Sequence, residues 1–220
     1  MKKFIAILFV SFLGVTIVYS QRKVSELMLS YDMQVSTGTN VPKMADAFDG
    51  AVTTVYIKGH LSRSEMTSAL FSSTTIHDAK AGTAIALREV SGQKLLIRMS
   101  AENWNEKNKK YDGIVFTNTT EIKIIAGYKC TKAEAKLADG TIFNVYYTTE
   151  IIPENRDYEN MMFKNLNGLP MEWELVQGKL NIKYSLSKIN MNPIPISRFD
   201  IPTSGYRELT FEESKKSNAN

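Results

Sequence analysis

The dominant period in this chain is two residues. From Glu26 to Val35, the apolar positions Leu27, Leu29, Tyr31, Met33 and Val35 alternate with Glu26, Ser30, Asp32 and Gln34, the polar set being joined by Met28. Such alternation predicts a half-buried strand. Ala51 to Ile57 predicts a second strand, Gly59 a bend, and His60 to Leu70 a continuing strand, with Phe71 to Ile76 extending the β character. Gly82 to Met99 reads as a hairpin about Ser91-Gly92. Ile114 to Phe116 begins another extended segment. Thr117-Asn118-Thr119 is expected to turn it, and Glu121 to Ile125 to resume.

The clearest pattern lies between Glu121 and Ile189. In Tyr128 to Leu137, Lys132, Glu134 and Lys136 face one way, and Thr131, Ala133, Ala135 and Leu137 the other. Asp139-Gly140 is a strong hairpin signal. The return strand, Thr141 to Ile151, places Phe143, Val145, Tyr147, Thr149 and Ile151 on one face, and Pro153 ends it. Gly168-Leu169-Pro170 then leads into a last hairpin. There Met171, Trp173 and Leu175 alternate with Glu172 and Glu174, and after Gln177-Gly178, Leu180, Ile182, Tyr184 and Leu186 alternate with polar residues. The two glutamates are expected on a solvated face, paired with Lys179 or Lys183. A sheet face built of alanines leaves room above it. Either a helix approaches closely there or a cavity opens, and periodicity does not choose between them.

Three segments carry a helical spacing. Asn40 to Asp49 has a cap, Pro42 in the first turn, and Met44 and Phe48 on one face. Ala101 to Lys110 is capped by Ser100 and carries Trp104 on the same face as Tyr111, an aromatic stripe suited to docking on the sheet. Glu154 to Asn165 spaces Tyr158, Met161, Met162 and Asn165 for a short helix beside Phe163. Phe199, Ile201 and Tyr206 are expected to anchor the chain end, and residues 212–220 to form a flexible polar tail.

Composition changes this picture in three ways. Lys2 and Lys3 precede an apolar run from Phe4 to Val18, and Val18-Tyr19-Ser20 fits a signal peptidase site. Residues 1–20 therefore read as a signal peptide cleaved before Gln21, leaving a single β domain over 21–211 that is soluble, not lipidated and not membrane-spanning. Its loss lowers the formal charge from +4 to +2. No cluster of Lys and Arg is dense enough for a nucleic-acid face. Cys130 is the lone cysteine, so no internal disulfide forms. His60 and His77 are the only histidines, and neither has a partner at metal-ligand spacing; both are expected at the surface or in turns. No metal, cofactor or catalytic constellation is expected.

Ala126-Gly127-Tyr128-Lys129-Cys130-Thr131-Lys132-Ala133, Asp139-Gly140, Val145 to Ile151 and Gly168-Leu169-Pro170 together resemble the GLPGLI family of exported bacterial proteins. They resemble at least as closely a neighbouring exported family of unknown function, because Met171-Glu172-Trp173 stands where the first family has Gly-Leu-Ile. Both families are similar to lipoprotein carriers of the LolA type. That resemblance implies a mainly β, α+β fold: a curved antiparallel sheet forming an unclosed barrel, its concave face covered by two or three short helices. Hairpin-linked strands without a βαβ pattern agree.

Two functions follow as expectations. One is a non-enzymatic periplasmic or secreted carrier of a lipid, lipoprotein or other hydrophobic ligand. Its cavity would be lined by Ala133, Ala135, Phe143, Val145, Tyr147, Met162, Trp173, Leu175, Ile182 and Tyr184. The other is an envelope structural or interaction domain with a filled core and a protein partner. An apolar cavity would favour the first, a packed interior the second.

Overall fold

The computed structural model describes residues 21–36, 50–69, 71–90, 92–158, 161–177 and 180–217. In chain order the strands are β1 (Arg22–Val24), β2 (Glu26–Ser36), β3 (Val52–Lys58), β4 (Leu61–Thr67), β5 (Phe71–Asp78), β6 (Thr83–Val90) and β7 (Gln93–Met99). Helix α1 (Ala101–Asn108) follows, then β8 (Val115–Ile125), β9 (Tyr128–Lys136), β10 (Ile142–Thr148), β11 (Ile151–Pro153), β12 (Leu169–Gln177) and β13 (Leu180–Asn190). The chain closes with β14 (Arg207–Leu209) and α2 (Phe211–Ser217).

Among the described residues, twelve strands make one sheet in the order β14-β7-β6-β5-β4-β3-β2-β13-β12-β10-β9-β8. All neighbours are antiparallel except β14, which runs parallel to β7. The sheet does not close on itself, so β14 and β8 are its edges. β1 pairs separately and in parallel with β11. This is the expected architecture, a large unclosed antiparallel sheet with few short helices.

Register assigns the faces. Leu29 pairs with Val55, Val55 with Ser64, Ser64 with Thr75, Thr75 with Ala86, and Ala86 with Ile97. Opposed residues share a face, so these line one side across six strands. The same face continues through Tyr184, Trp173, Val145 and Ala133 on the other half of the sheet. It carries the main core: Leu27, Leu29, Tyr31 and Val55 from one half, and Ala133, Val145, Leu169 and Trp173 from the other. Over the second half lies the chain from Ile151 to Leu166, which contributes Tyr158, Met162 and Phe163. The helices lie over β6 and β7, where Trp104 and Phe211 pack on Ala84, Ala86, Ile97 and Met99.

Helix α1 follows the expectation. Ser100 caps it through a reciprocal box with Asn103, and Trp104 is buried. Lys109 to Tyr111 continue as a single tight 3-10 turn. Segment 40–49 lies outside the described residues, as do residues 1–20.

Three expectations are corrected. First, Thr117-Asn118-Thr119 does not turn the chain. β8 runs through it, with a register irregularity between Asn118 and Ile122. The Thr119 hydroxyl explains the continuity, because it donates to the Lys132 carbonyl at 3.2 Å and accepts from the Glu121 N–H at 3.2 Å. A side chain thus replaces backbone partners at the bulge.

Second, Glu154 to Asn165 is not a regular helix. Asn155 Oδ1 accepts from the Asp157 N–H at 3.0 Å, and Met161 has φ of 63°. Each device diverts the backbone from α geometry. The chain instead makes turns closed by bonds from Lys164 N to Met161 O and from Leu166 N to Phe163 O.

Third, residues 212–217 are helical rather than a tail. Phe211 and Ser214 are buried, and Lys215 bridges α2 to Glu106 of α1 at 2.8 Å. The anchoring of the preceding strap also differs in part. Phe199 and Ile194 are buried against the opposite, outer face, whereas Ile201 is 38% exposed.

Candidate functional site

The ten residues expected to line a cavity come together in space, but as packed core. Ala133 and Ala135 have no exposed surface, and Phe143, Val145, Tyr147, Met162 and Trp173 are all buried with them in one cluster. Leu175 and Tyr184 pack partly buried against that cluster, while Ile182 belongs to a neighbouring one with Met33 and Ala51. Trp173 is the centre. Its ring stacks on Tyr184 at 4.7 Å and meets Tyr31 and Phe163 edge-on, each at 4.9 Å. Phe163 in turn lies 6.5 Å from Phe116, which pairs with Ala135 across β8 and β9. The alanines therefore make room for aromatic rings of the same chain.

Gly168-Leu169-Pro170 seats this cluster. A Cβ at Gly168 would lie 2.2 Å from the Thr148 carbonyl oxygen and 2.7 Å from Tyr147 Cδ2. Only glycine permits that approach. Leu169 is fully buried, and Pro170 stands beside a register shift between β10 and β12, where a missing N–H is tolerated. The Tyr31 hydroxyl donates to the Pro170 carbonyl at 3.0 Å, tying β2 to the motif.

The inner face of β4 and β5 is different. Ser62, Ser64, Thr75 and His77 stand where the flanking strands carry apolar residues. His77 is 3% exposed and stacks on Trp104 at 4.6 Å. It is a buried histidine, not a surface one as expected. Burial lowers its pKa from the ordinary 6.5, and the Asp157 charge and backbone oppose the shift. His77, Trp104 and Asp157, with Ser62, Ser64, Thr75 and Val55, enclose a space of about 30 Å³. His77 Nδ1 and Trp104 Nε1 have no protein partner there. His60 sits in the β3–β4 turn, half exposed, 3.7 Å from Asp78.

Two further clefts border the helices and turns. One, of about 590 Å³, is open to solvent, between Gly59, His60, Lys80 and the chain from Glu154 to Asp157 with Lys164. The other, of about 180 Å³, lies between α1 and α2, lined by Ala86, Ile97, Met99 and Phe211 and also by Arg88, Glu106, Lys107 and Lys215. Of the ten expected lining residues, none borders either cleft.

On the outer face, Glu172 is 8% exposed rather than solvated. It accepts from Lys123 at 2.7 Å and Ser185 at 3.2 Å, and Lys183 lies 3.2 Å away. Burial alone would raise its pKa, but the bonds to Lys123 and Lys183 outweigh that and hold it below the ordinary value. Beside it Tyr146 donates to Glu121, which pushes the phenol up to about 12, and Glu121 also binds Lys132 at 2.9 Å. These groups satisfy one another, and a shallow cleft of about 320 Å³ lies over them, bordered also by Trp173.

Cys130 is fully buried and its thiol is pushed up to about 11, chiefly by burial. Burial thus favours the thiol over the reactive thiolate near neutrality. Among the described residues no group of three or more His, Cys, Asp or Glu side chains could hold a metal ion, and no helix is long and apolar enough to cross a membrane.

The sequence named the ten residues as candidate cavity lining and left a filled core as the alternative; seven of them lie buried in one packed cluster. It passed over the polar strip at Ser62, Ser64, Thr75 and His77, although the alternation through β4 and β5 shows it. The turns at 154–157 that form the larger cleft carry no periodic signal.

Comparison with known proteins is informative at the level of fold. No sequence-family model matches the chain and no curated protein matches it, so the resemblance to GLPGLI-type proteins has no counterpart in either. Among solved structures it is similar to PNGF-II in a P21 crystal form, at 11% identity and a TM-score of 0.51 over 88% of this chain and 33% of that one. It therefore spans about a third of the length of PNGF-II. A beta-barrel-like protein of a domain of unknown function from Brucella abortus matches 78% of the chain at 9% identity and a TM-score of 0.37. That match covers 99% of the Brucella protein. A LolA superfamily protein from Nitrosomonas europaea matches 80% at 11% identity and 0.38, covering 90% of its own length. At 11% identity and a TM-score of 0.51 the likeness to PNGF-II is one of fold.

Proposed function

We propose that the protein is a non-enzymatic, exported domain that works by binding another protein, with its interior filled by its own side chains. The observation behind this reading is the packing around Trp173. The inner face, where the expected cavity would open, is occupied by Tyr31, Phe163, Trp173 and Tyr184. Apolar side chains instead reach solvent on β8, where Val115, Ile122 and Ile124 are 59%, 54% and 65% exposed. Among the described residues beside β8, Glu121, Lys123, Lys132, Tyr146 and Glu172 are bonded to one another.

A photoreactive cross-linker placed at β8, with a matched control on the outer face of β5, tests the proposal in intact cells. One envelope protein recovered stoichiometrically from the β8 position alone is the expected result. Equal yields from both positions would overturn it.

The carrier function remains a second reading because of the groove between α1 and α2. Ala86, Ile97, Met99 and Phe211 give it an apolar lining, and Arg88, Glu106, Lys107 and Lys215 line it as well, Lys215 paired with Glu106. About 180 Å³ accommodates a short acyl segment but falls below the ~300 Å³ usual for a ligand pocket. Native mass spectrometry of protein taken from its own envelope would show a bound amphiphile if this reading holds.

A further inference from the structure

The two edges of the sheet are unequal. β14 is three residues long and is followed directly by α2, which packs on β7 and β6. β8 is eleven residues long, and nine of them are exposed. It contains no proline, and its single bulge falls mid-strand, between Asn118 and Ile122, which leaves Ile122 to Ile125 as the regular stretch beside the turn. A long, exposed edge of this kind presents unpaired N–H and C=O groups to any extended chain.

Which groups it presents follows from the β8–β9 hairpin. Ala126 and Gly127 have φ of 49° and 84°, so the two-residue loop is a type I′ turn. Ile125 and Tyr128 flank that turn as a pair, and residues in that position exchange both backbone bonds. Alternation then directs the backbone groups of Lys123 toward β9 and those of Ile122 and Ile124 toward the free edge. The side chains alternate likewise. Lys123 and Glu121 lie on the outer face with Glu172 and Tyr146, and Ile122 and Ile124 on the inner side.

We infer that β8 pairs with β8 of a second copy of this chain, antiparallel, on a two-fold axis through Ile122. The sequence Glu121-Ile122-Lys123 is its own complement in that register. Ile122 meets Ile122, and Glu121 of each copy, whose side chain stays on the outer face although it adjoins the bulge, meets Lys123 of the other. A two-fold interface requires just this reciprocity. The outer-face charges already run from Lys183 through Glu172 to Lys123. Pairing continues that alternation into the second copy's Glu121 and Lys132. The two sheets become one, and the exposed isoleucines leave water. This inference rests on the reading of β8 as a protein-binding surface and names its partner.

The test is sedimentation of residues 21–220 across a concentration series, with amide exchange. Wild type is expected to dimerise, and the amides of Ile122 and Ile124 to gain protection on dimerisation. Ile122→Lys sets two like charges face to face on the axis and should leave a monomer with an unchanged circular dichroism melt. Glu121→Lys and Lys123→Glu should each weaken the dimer at least tenfold, and the double exchange should restore it, because only this register pairs the two positions. Three results overturn the inference: a wild type that stays monomeric at all concentrations, a dimer that survives Ile122→Lys, or a double exchange without rescue. A monomeric wild type whose β8 still cross-links to a different envelope protein, lost in Ile122→Lys, would reject the second copy yet keep the binding surface. Loss of both rejects the surface as well.

Discussion

The inner face of the sheet is built in two ways. Over β8 to β10, β12 and β2 it is an aromatic solid. Tyr31, Phe163, Trp173 and Tyr184 interlock above two alanines with no exposed surface. Over β4 and β5 the same face turns to Ser62, Ser64, Thr75 and His77, around a space of about 30 Å³. One sheet thus carries a region of interlocked rings and one of small polar side chains around a narrow space. The first sets stability, because removing apolar area from water contributes more than polar contacts do. The second is the region where pH and small polar changes act. The sharpest way to break the contrast is at its centre. Trp173→Ala removes a buried ring in contact with three others and should cost about 3–5 kcal/mol, read from urea unfolding. A loss below ~1 kcal/mol would mean that the ring sits in a looser cavity than its neighbours indicate.

Next in size is Gly168→Ala. The added Cβ would meet the Thr148 carbonyl and the Tyr147 ring, and neither is a free chain end. Overpacking of this kind costs about 1–3 kcal/mol, more where backbone must shift. The same substitution at Gly140, whose Cβ would meet nothing within 4 Å but whose φ is 87°, separates crowding from backbone strain. Gly140→Ala should lower the unfolding midpoint less than Gly168→Ala does.

Much of the aromatic half was legible from the chain. The alternation in Phe143 to Ile151 and Met171 to Leu186 named its residues, and Ala133 and Ala135 marked a small-residue face open to either a close approach or a cavity. What alternation leaves open is whether a small-residue face is roofed by other side chains or by a ligand. Here Phe163 answers it, from a segment read as helix. That segment misled because Tyr158 and Met162 do have helical spacing, while Asn155 and Met161 bend the chain by local hydrogen bonding and positive φ. The β8–β9 turn was equally hidden, since Ala126-Gly127 lacks the Asn-Gly or Asp-Gly of common type I′ loops. His77 was placed at the surface for want of a partner, and its partner Trp104 lies across the fold on α1. The long-range half of the polar strip is therefore invisible to any pattern within one strand.

The polar region should show itself through pH. Burial depresses His77 below its ordinary 6.5, with Asp157 and Asp78 opposing the shift and Lys164 adding to it. The unfolded chain then binds the proton more readily than the folded one. Stability is full above the ordinary imidazole value and is lost as pH falls through it toward the depressed one. Melting temperature should therefore drop between about pH 7.5 and about pH 5.5, and His77→Gln should flatten that slope. Trp173→Ala should lower the whole curve without changing its shape in this range. A slope kept in full by His77→Gln would assign it to other groups.

The smallest effect is expected at Ser64. It faces the enclosed space on the polar side, half-buried, opposite Val55 and Thr75. Ser64→Ala should change stability by no more than ~0.5 kcal/mol, because a group with some access to water can trade a protein partner for solvent. Ala133→Ser is its mirror image on the aromatic side. There a hydroxyl enters a fully buried site among apolar neighbours, and the cost should reach ~1–3 kcal/mol. Equal effects at the two positions would erase the contrast, since a serine would then be as well accommodated beneath Trp173 as beside His77. A larger loss at Ser64 than at Ala133 would reverse it and make the hydroxyl's bonding around His77, rather than the aromatic packing, the more demanding part of the interior.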